Sequence, residues 1–424
     1  MPTIKKIIAR EILDSRSNPT VEAKLLLDNG LVEIASVPSG LSRGSYEAVE
    51  LRDHDYSRFN GQGVLSVCHN IEKIISPNLS SLEITDLKEI DKKLIDLDGT
   101  KNKSRLGGNA ILACSLVCAR AGARVMNLPL YRYLREIFKL SLSDYQLPIP
   151  LFNLINGGRH AESNLEIQEF LILPKEKGKM AQSIQMVAEI FSTLKGILKT
   201  RRGVSKAVGD EGGLVVGLAN NEEGLKFLAE AVEQTGYQLG QDFFLGLDCA
   251  ASEFYDRREF YRFESKNLLR REMVLIYQDW LKRYPLKFLE DPLEENDFVG
   301  WQRLKDELLR INQELLIIGD DLFTTNQERL REGIKFKSAM GIVIKPNQIG
   351  TIFETMECVK LAREAGYKIG VSHRSGETND DFIADLAVAI NADFIKAGGL
   401  TRGERVAKYN RLMEIEEELD CHIF

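Results

Sequence analysis

In the second half of this 424-residue chain, short apolar runs repeatedly finish on groups that can do chemistry. Asp210 and Glu211 close KAVGDEGG, Asp248 closes FFLGLD, and Glu290 and Asp291 close LKFLED. Asp320 and Asp321 close LLIIGDD, Lys345 closes GIVIK, His373, Arg374 and Ser375 end IGVSHRSG, and Lys396 ends DFIK. A single carboxylate after a strand is usually a helix cap or turn former, and a single lysine there usually reaches water. A consecutive series is different. Capping favours Ser, Thr, Asn and Asp and gives no reason for Lys and Glu to take turns at run after run.

Asp248, Glu290 and Asp320 are hard oxygen donors and suit Mg2+, which takes a few carboxylates and shares its remaining positions with water or substrate. Zinc would prefer His or Cys, and the series offers only His373. Lys345 and Lys396 face these carboxylates. A lysine pressed toward neutrality by a metal and by a second lysine can serve as a base. Metal plus lysine base is suited to removing a proton α to a carboxylate, with the metal holding the dianion that forms.

Such groups need a scaffold that brings successive strand ends together. From Asp248 to Lys396 they are about 23 to 42 residues apart, the length of a strand, a helix and two loops. The apolar runs alternate with amphipathic stretches at 180–199, 222–234, 353–366 and 403–419. Alternation over so long a stretch predicts a closed α/β barrel with the charged ends ringing its C-terminal mouth. The first part reads differently. IKKIIAREILD and PTVEAKLLLD predict strands, Asp28-Asn29-Gly30 a hairpin turn, and Asn109 to Met126 a buried helix. The pattern breaks near LSLSDYQLPIP, which separates residues 1–140 from a second domain at 141–424.

The formal net charge of −7, without a basic cluster, argues against nucleic-acid binding. No apolar run reaches the roughly 18 residues of a membrane span, and MPTIKKIIAREILDS does not read as a secretory signal. Six scattered cysteines without a C-x-x-C pair predict buried thiols in a reducing, cytoplasmic setting.

The motifs can now be taken together. DSRSNPTVEA, VPSGLSRGSYEAVELRD, IDLDGTKNKSRLGGNAILACSL, NLINGGRHAESNLEIQEF, GDEGG, LDCAASEFY, LEDPL, GDDLFTTN, IKPNQIGT, SHRSGETNDDFIADLAVA and RVAKYNRLMEIEE closely resemble the enolase family, in order, from residue 3 to about 418. The enolase superfamily is itself the standing example of a lysine base working with Mg2+, so the chemical reading and the resemblance are not independent. The resemblance implies an N-terminal α+β capping domain with a lid loop, and a modified barrel whose second strand runs antiparallel. It implies the reversible dehydration of 2-phosphoglycerate to phosphoenolpyruvate, with Lys345 taking the C2 proton and Glu211, with Glu169 beside it, helping the C3 hydroxyl leave. Asp248, Glu290 and Asp320 would hold one Mg2+; a second would arrive with substrate and touch the Ser39 loop. Arg374 and Ser375 would hold the phosphate. His160, Gln168, His373 and Lys396 would line the pocket, with Lys396 on the substrate carboxylate. A homodimer or larger homo-oligomer is also implied.

The chain departs from the family pattern at Ser17, where glycine is usual, and at Leu41 and Arg43 in the lid motif. It departs again at Leu214-Val215-Val216 after GDEGG, at Pro346 after the base, and at Ala397. Pro346 is expected to hold Lys345 extended. Two alternatives remain open at this level: a lyase or racemase acting on another carboxylate, and a catalytically weak enolase paralogue serving as a binding or structural protein.

Overall fold

The computed structural model describes residues 1–40, 44–142, 144–161, 163–175, 178–203, 207–256 and 258–421. Leu41 and Arg43 of the lid motif fall outside them. The first elements are β1 (Ile4–Leu13), β2 (Pro19–Leu27) and β3 (Val32–Ser36), an antiparallel meander. Alternation turns Val21, Ala23, Leu25 and Leu27 of β2 inward, where all are fully buried. The helix Gly108–Val125, apolar on almost every side, packs against that face.

The β1–β2 connection is built on Asp14, whose Oδ1 accepts the backbone N–H of Arg16 and of Asn18, both at 2.8 Å. Between them Ser17 is held at φ 62°. That left-handed conformation suits glycine and costs a residue with a Cβ about 1–2 kcal/mol. The serine therefore occupies a turn whose backbone favours glycine. Ser17→Gly is expected to stabilise the protein by up to about 1 kcal/mol, part of the relief being offset by a more flexible unfolded chain. A urea midpoint that falls instead of rising would contradict this.

Residues 149 onward form β4 (Ile149–Asn156), β5 (Glu169–Pro174), the two-residue β6 (Leu214–Val215) and β7 (Phe243–Asp248). A hairpin, β8 (Phe260–Phe263) and β9 (Lys266–Leu269), stands apart from the sheet. Then follow β10 (Leu286–Glu290), β11 (Leu316–Gly319), β12 (Gly341–Ile344), β13 (Lys368–Ser372) and β14 (Phe394–Lys396). Because β14 pairs back to β4, eight strands close into a barrel, and β6 adds to β4 outside the ring. Around the ring β5 is antiparallel to both β4 and β7, and the other pairings are parallel. The barrel is α/β, and its second strand is the reversed one.

The interior of the barrel explains where the chemistry sits. Leu151, Leu171, Phe288, Ile318, Val343 and Phe394 form a separate buried cluster inside it. Side chains on a strand alternate, so the residue two positions toward the mouth points the same way. Those residues are Asn153, Glu169, Glu290, Asp320, Lys345 and Lys396. Two before Asp248 stands Gly246, where a Cβ would lie 3.1 Å from that of Phe288. The polar ring is the next layer above an apolar plug.

The cap also supports the barrel through buried polar contacts. Asp91, on the cap helix Leu87–Asp98, accepts the N–H of Phe353 at 2.8 Å in the first turn of the barrel helix Ile352–Glu364. Burial pushes its carboxyl up to about 7, with the charge of Glu354 adding to the effect and the donated N–H opposing it. Between the ordinary carboxylate value near 4 and pH 7, the folded chain keeps a proton that the unfolded chain has lost. Stability from this group therefore falls as pH rises through that window, by on the order of a few kcal/mol. Asp91→Asn is expected to gain on the native protein between pH 5 and pH 8 in urea unfolding. A difference that is the same at both pH values would contradict the account.

Candidate active site

Each strand delivers one side chain to the mouth. Asp248 and Glu290 end β7 and β10 and are register partners. Asp320 follows β11, Lys345 follows β12, His373 follows β13, and Lys396 ends β14. Because β5 is reversed, its first residue, Glu169, lies at the same mouth, opposite Asp248. Lys345 is extended, at φ −131° and ψ 105°, and Pro346 begins a short helix (Pro346–Ile349) directly after it.

The sequence reading placed Asp210 and Glu211 at the end of a strand, and there the structure differs. They occupy a turn: Val208 makes only an isolated bridge to Leu214, and β6 starts after the turn. Its position is set by close backbone packing against the end of β14. Gly399 N–H donates to Glu211 O at 2.8 Å, and a Cβ on Gly398 would lie 2.5 Å from that same oxygen. The unusual Leu214 and Val216 are buried behind it.

Two clusters result. In the first, Lys396 Nζ contacts Glu290 at 2.8 Å, Asp248 at 3.0 Å and Glu169 at 3.4 Å. Burial disfavours the ammonium, but these three carboxylates hold it well above the ordinary lysine range. Lys345 Nζ is paired with Asp320, which also accepts from Gln348 Nε2 at 3.1 Å. Burial, Arg374 and Lys396 all press Lys345 toward losing its proton, yet Asp320 outweighs them and its pKa lies above normal. The metal invoked to lower this pKa is not among these charges, and of the protein's own groups it is the Asp320 carboxylate that sets the direction. Glu290 is pushed up to about 8, first by burial and then by Asp248.

In the second cluster, Glu211 Oε2 lies 3.2 Å from His160 Nδ1, 3.5 Å from His373 Nε2 and 3.3 Å from Asn153 Nδ2. Ligating atoms of His160, Glu169 and Glu211 lie within 4.8 Å of one another. Despite its burial, Glu211 is held well below the usual carboxylate range by the two imidazoles. Glu169 is driven well above it by burial and by the charge of Glu211. Two carboxylates whose surroundings push their pKa values apart are arranged to share one proton.

Arg374 donates to Glu47 of the cap through both terminal nitrogens, at 2.8 and 3.2 Å, so its fork is already aligned on a pair of anionic oxygens. Gln168 is buried with its Oε1 unpartnered. Ser39 is buried, and its hydroxyl donates to Asp14; its backbone pairs in both directions with Gly376, one residue after Ser375.

The donor set can be tested against a divalent cation. Asp248, Glu290 and Asp320 are buried, Glu290 feels the charges of both Asp248 and Asp320, and its Oε1 is buried without a hydrogen-bond partner. Hard anionic oxygens with unused acceptor capacity fit a hard divalent ion. Asp291, Asp320 and Asp321 form a second close group of oxygens, but Asp291 is already engaged by the backbone N–H of Asp320 and Asp321.

The description "Enolase, N-terminal domain" matches residues 4–134, and "Enolase, C-terminal TIM barrel domain" matches residues 144–423. The chain belongs to the enolase family. A curated enolase from Elusimicrobium minutum (strain Pei191) is 48% identical over 419 residues, which cover 99% of this chain and 97% of that protein. Family membership makes the chain a carbon–oxygen lyase, a phosphopyruvate hydratase, with a divalent metal as cofactor. Nothing in these likenesses favours a non-catalytic paralogue.

Sequence reasoning had overlooked Asn153, Glu47, Gln348 and Arg405 as site residues. Asn153 carried a signal, being a polar residue inside the buried run IPLFNLIN. Gln348 stands one helical turn from Lys345. Glu47 and Arg405 lie within the motifs VPSGLSRGSYEAVELRD and RVAKYNRLMEIEE, but no local pattern puts either at the site, because each meets it only through the fold.

Proposed function

We propose that Lys345 is the base and Glu211 the acid of a reversible dehydration of 2-phospho-D-glycerate to phosphoenolpyruvate. The observation that supports this most is the placement of Lys345 and the Glu211–Glu169 pair in separate clusters of one buried mouth, with Lys396 between carboxylates at its centre. Lys345 Nζ takes the proton from C2. Glu211, sharing a proton with Glu169, protonates the departing C3 hydroxyl, so that the C3–O bond breaks, a C2–C3 double bond forms and water leaves. Arg374 grips the phosphate with the fork that Glu47 engages, and Ser375 adds a contact beside it. Lys396 faces the substrate carboxylate, where negative charge accumulates. His160, Gln168 and His373 close the pocket.

Asp248, Glu290 and Asp320 would hold Mg2+, which when bound supplies positive charge to the substrate carboxylate and takes up the charge of Asp320 that keeps Lys345 protonated. A second Mg2+ belongs to the same reading; Ser39 Oγ, whose hydrogen is given to Asp14, would still have lone pairs to offer it. A homodimer or larger homo-oligomer in the cytoplasm completes the proposal; the six free cysteines fit the reducing setting and say nothing of the assembly. No single helix among the described residues is long and apolar enough to cross a membrane.

The test is phosphoenolpyruvate formation from 2-phosphoglycerate, followed by ultraviolet absorbance with and without Mg2+. Turnover that requires Mg2+ is expected. Turnover that survives thorough chelation, or none under any condition, would contradict the proposal.

A further inference from the structure

Arg405 is fully buried in the first turn of the helix Gly403–Asp420, behind the site. Its Nη1 lies 2.6 Å from His373 Nδ1 and donates to Arg374 O at 2.6 Å. Its Nη2 donates to Ser375 O at 2.7 Å, to Asp210 O at 2.8 Å and to Ser15 Oγ at 3.4 Å. One guanidinium thus ties the residue before Glu211 to the loop that carries His373, Arg374 and Ser375. The approach is permitted by Gly398, where a Cβ would lie 2.9 Å from Arg405 Cδ and 3.1 Å from His373 Cε1.

A guanidinium has donors only, so the imidazole nitrogen facing it must offer a lone pair. In a neutral ring the proton then lies on Nε2, the nitrogen that faces Glu211 Oε2 at 3.5 Å. We infer that Arg405 is a positioning residue for the acid half of the reaction: it fixes His373 as the Nε2–H tautomer, which donates to Glu211 and does not compete with it for the proton destined for the leaving hydroxyl. The inference deepens the proposed function and rests on Glu211 being the proton donor. Burial agrees with a neutral ring, pushing His373 down to about 3 even though the nearby Glu211 charge opposes the shift.

The chain has five histidines, so 15N-histidine labelling gives a readable set of ring signals, and His373→Asn identifies the one that disappears. In native protein the His373 signals should show a protonated Nε2 and a bare Nδ1. Arg405→Met should mix the tautomers and lower kcat by about 10- to 100-fold with a much smaller change in KM. Arg405→Lys, which still donates to Nδ1, should restore the tautomer and most of kcat. A structural role alone would leave the tautomer unchanged in Arg405→Met and give no selective loss of kcat; that result overturns the inference. So does a native ring protonated on Nδ1, a result that stands even if the methionine variant does not fold. Native protein that shows the Nε2–H ring but makes no phosphoenolpyruvate supports the tautomer assignment and overturns the functional reading instead.

Discussion

Lys345→Ala is expected to lower kcat by about 10²- to 10⁴-fold or more, the range for removing a positioned general base. The loss should fall on kcat and leave KM nearly unchanged, because in the proposed reaction Lys345 meets the reacting carbon and Arg374 the phosphate. Its removal leaves Asp320 with the hydrogen bond from Gln348 but without its buried cation, so a stability loss of up to about 3–5 kcal/mol should accompany the loss of kcat and is read separately by urea unfolding. Lys345→Arg distinguishes a base from a mere positive charge. Arginine keeps the ion pair with Asp320 but cannot give up its proton in the working range. It is expected to be as inactive as alanine. Recovery of activity in Lys345→Arg, measured by steady-state phosphoenolpyruvate formation, would mean that the charge and not proton transfer is what matters.

Lys396→Met is expected to damage both stability and catalysis. The ammonium lies between Glu290, Asp248 and Glu169, all of them buried. Removing one partner of a buried ion pair leaves an uncompensated charge and costs about 3–5 kcal/mol. Losing a donor placed where negative charge develops lowers kcat by about 10²- to 10³-fold. The two effects can be separated with Mg2+. A cation held by Asp248 and Glu290 compensates those two carboxylates, so Mg2+ should stabilise the variant against urea by more than it stabilises native protein. An equal shift in both proteins would show that Lys396 and the cation do not share these carboxylates.

The barrel was legible because its strands end in residues that strands do not otherwise need. Glu290, Asp320, Lys345 and Lys396 each lie two residues beyond an apolar one that fills the interior, as Phe288 precedes Glu290 and Val343 precedes Lys345. That periodicity is local, so it survives in the sequence. Glu211 was found as a residue but misplaced as an element. Its turn is fixed by close backbone packing against Gly398 and Gly399, and no local pattern encodes that contact. Glu47 was overlooked for a related reason, since it reaches Arg374 across 327 residues of chain. A strand-end pattern shows which charges gather but not which of them touch: among the protein's own groups Asp320 is the neighbour that raises Lys345. At Ser17 the family comparison marked an anomaly, and the positive φ there supplies its physical content.

The measurement that bears most directly on the account is exchange of the C2 hydrogen of 2-phosphoglycerate with deuterated solvent, in the presence of Mg2+, in native protein, Lys345→Ala and Glu211→Gln. If Lys345 takes that proton and Glu211 acts afterwards on the C3 hydroxyl, Lys345→Ala loses exchange and dehydration together, whereas Glu211→Gln keeps exchange while losing dehydration. Exchange that persists without Lys345, or that vanishes with Glu211 alone, would contradict the division of labour between the two sides of this site.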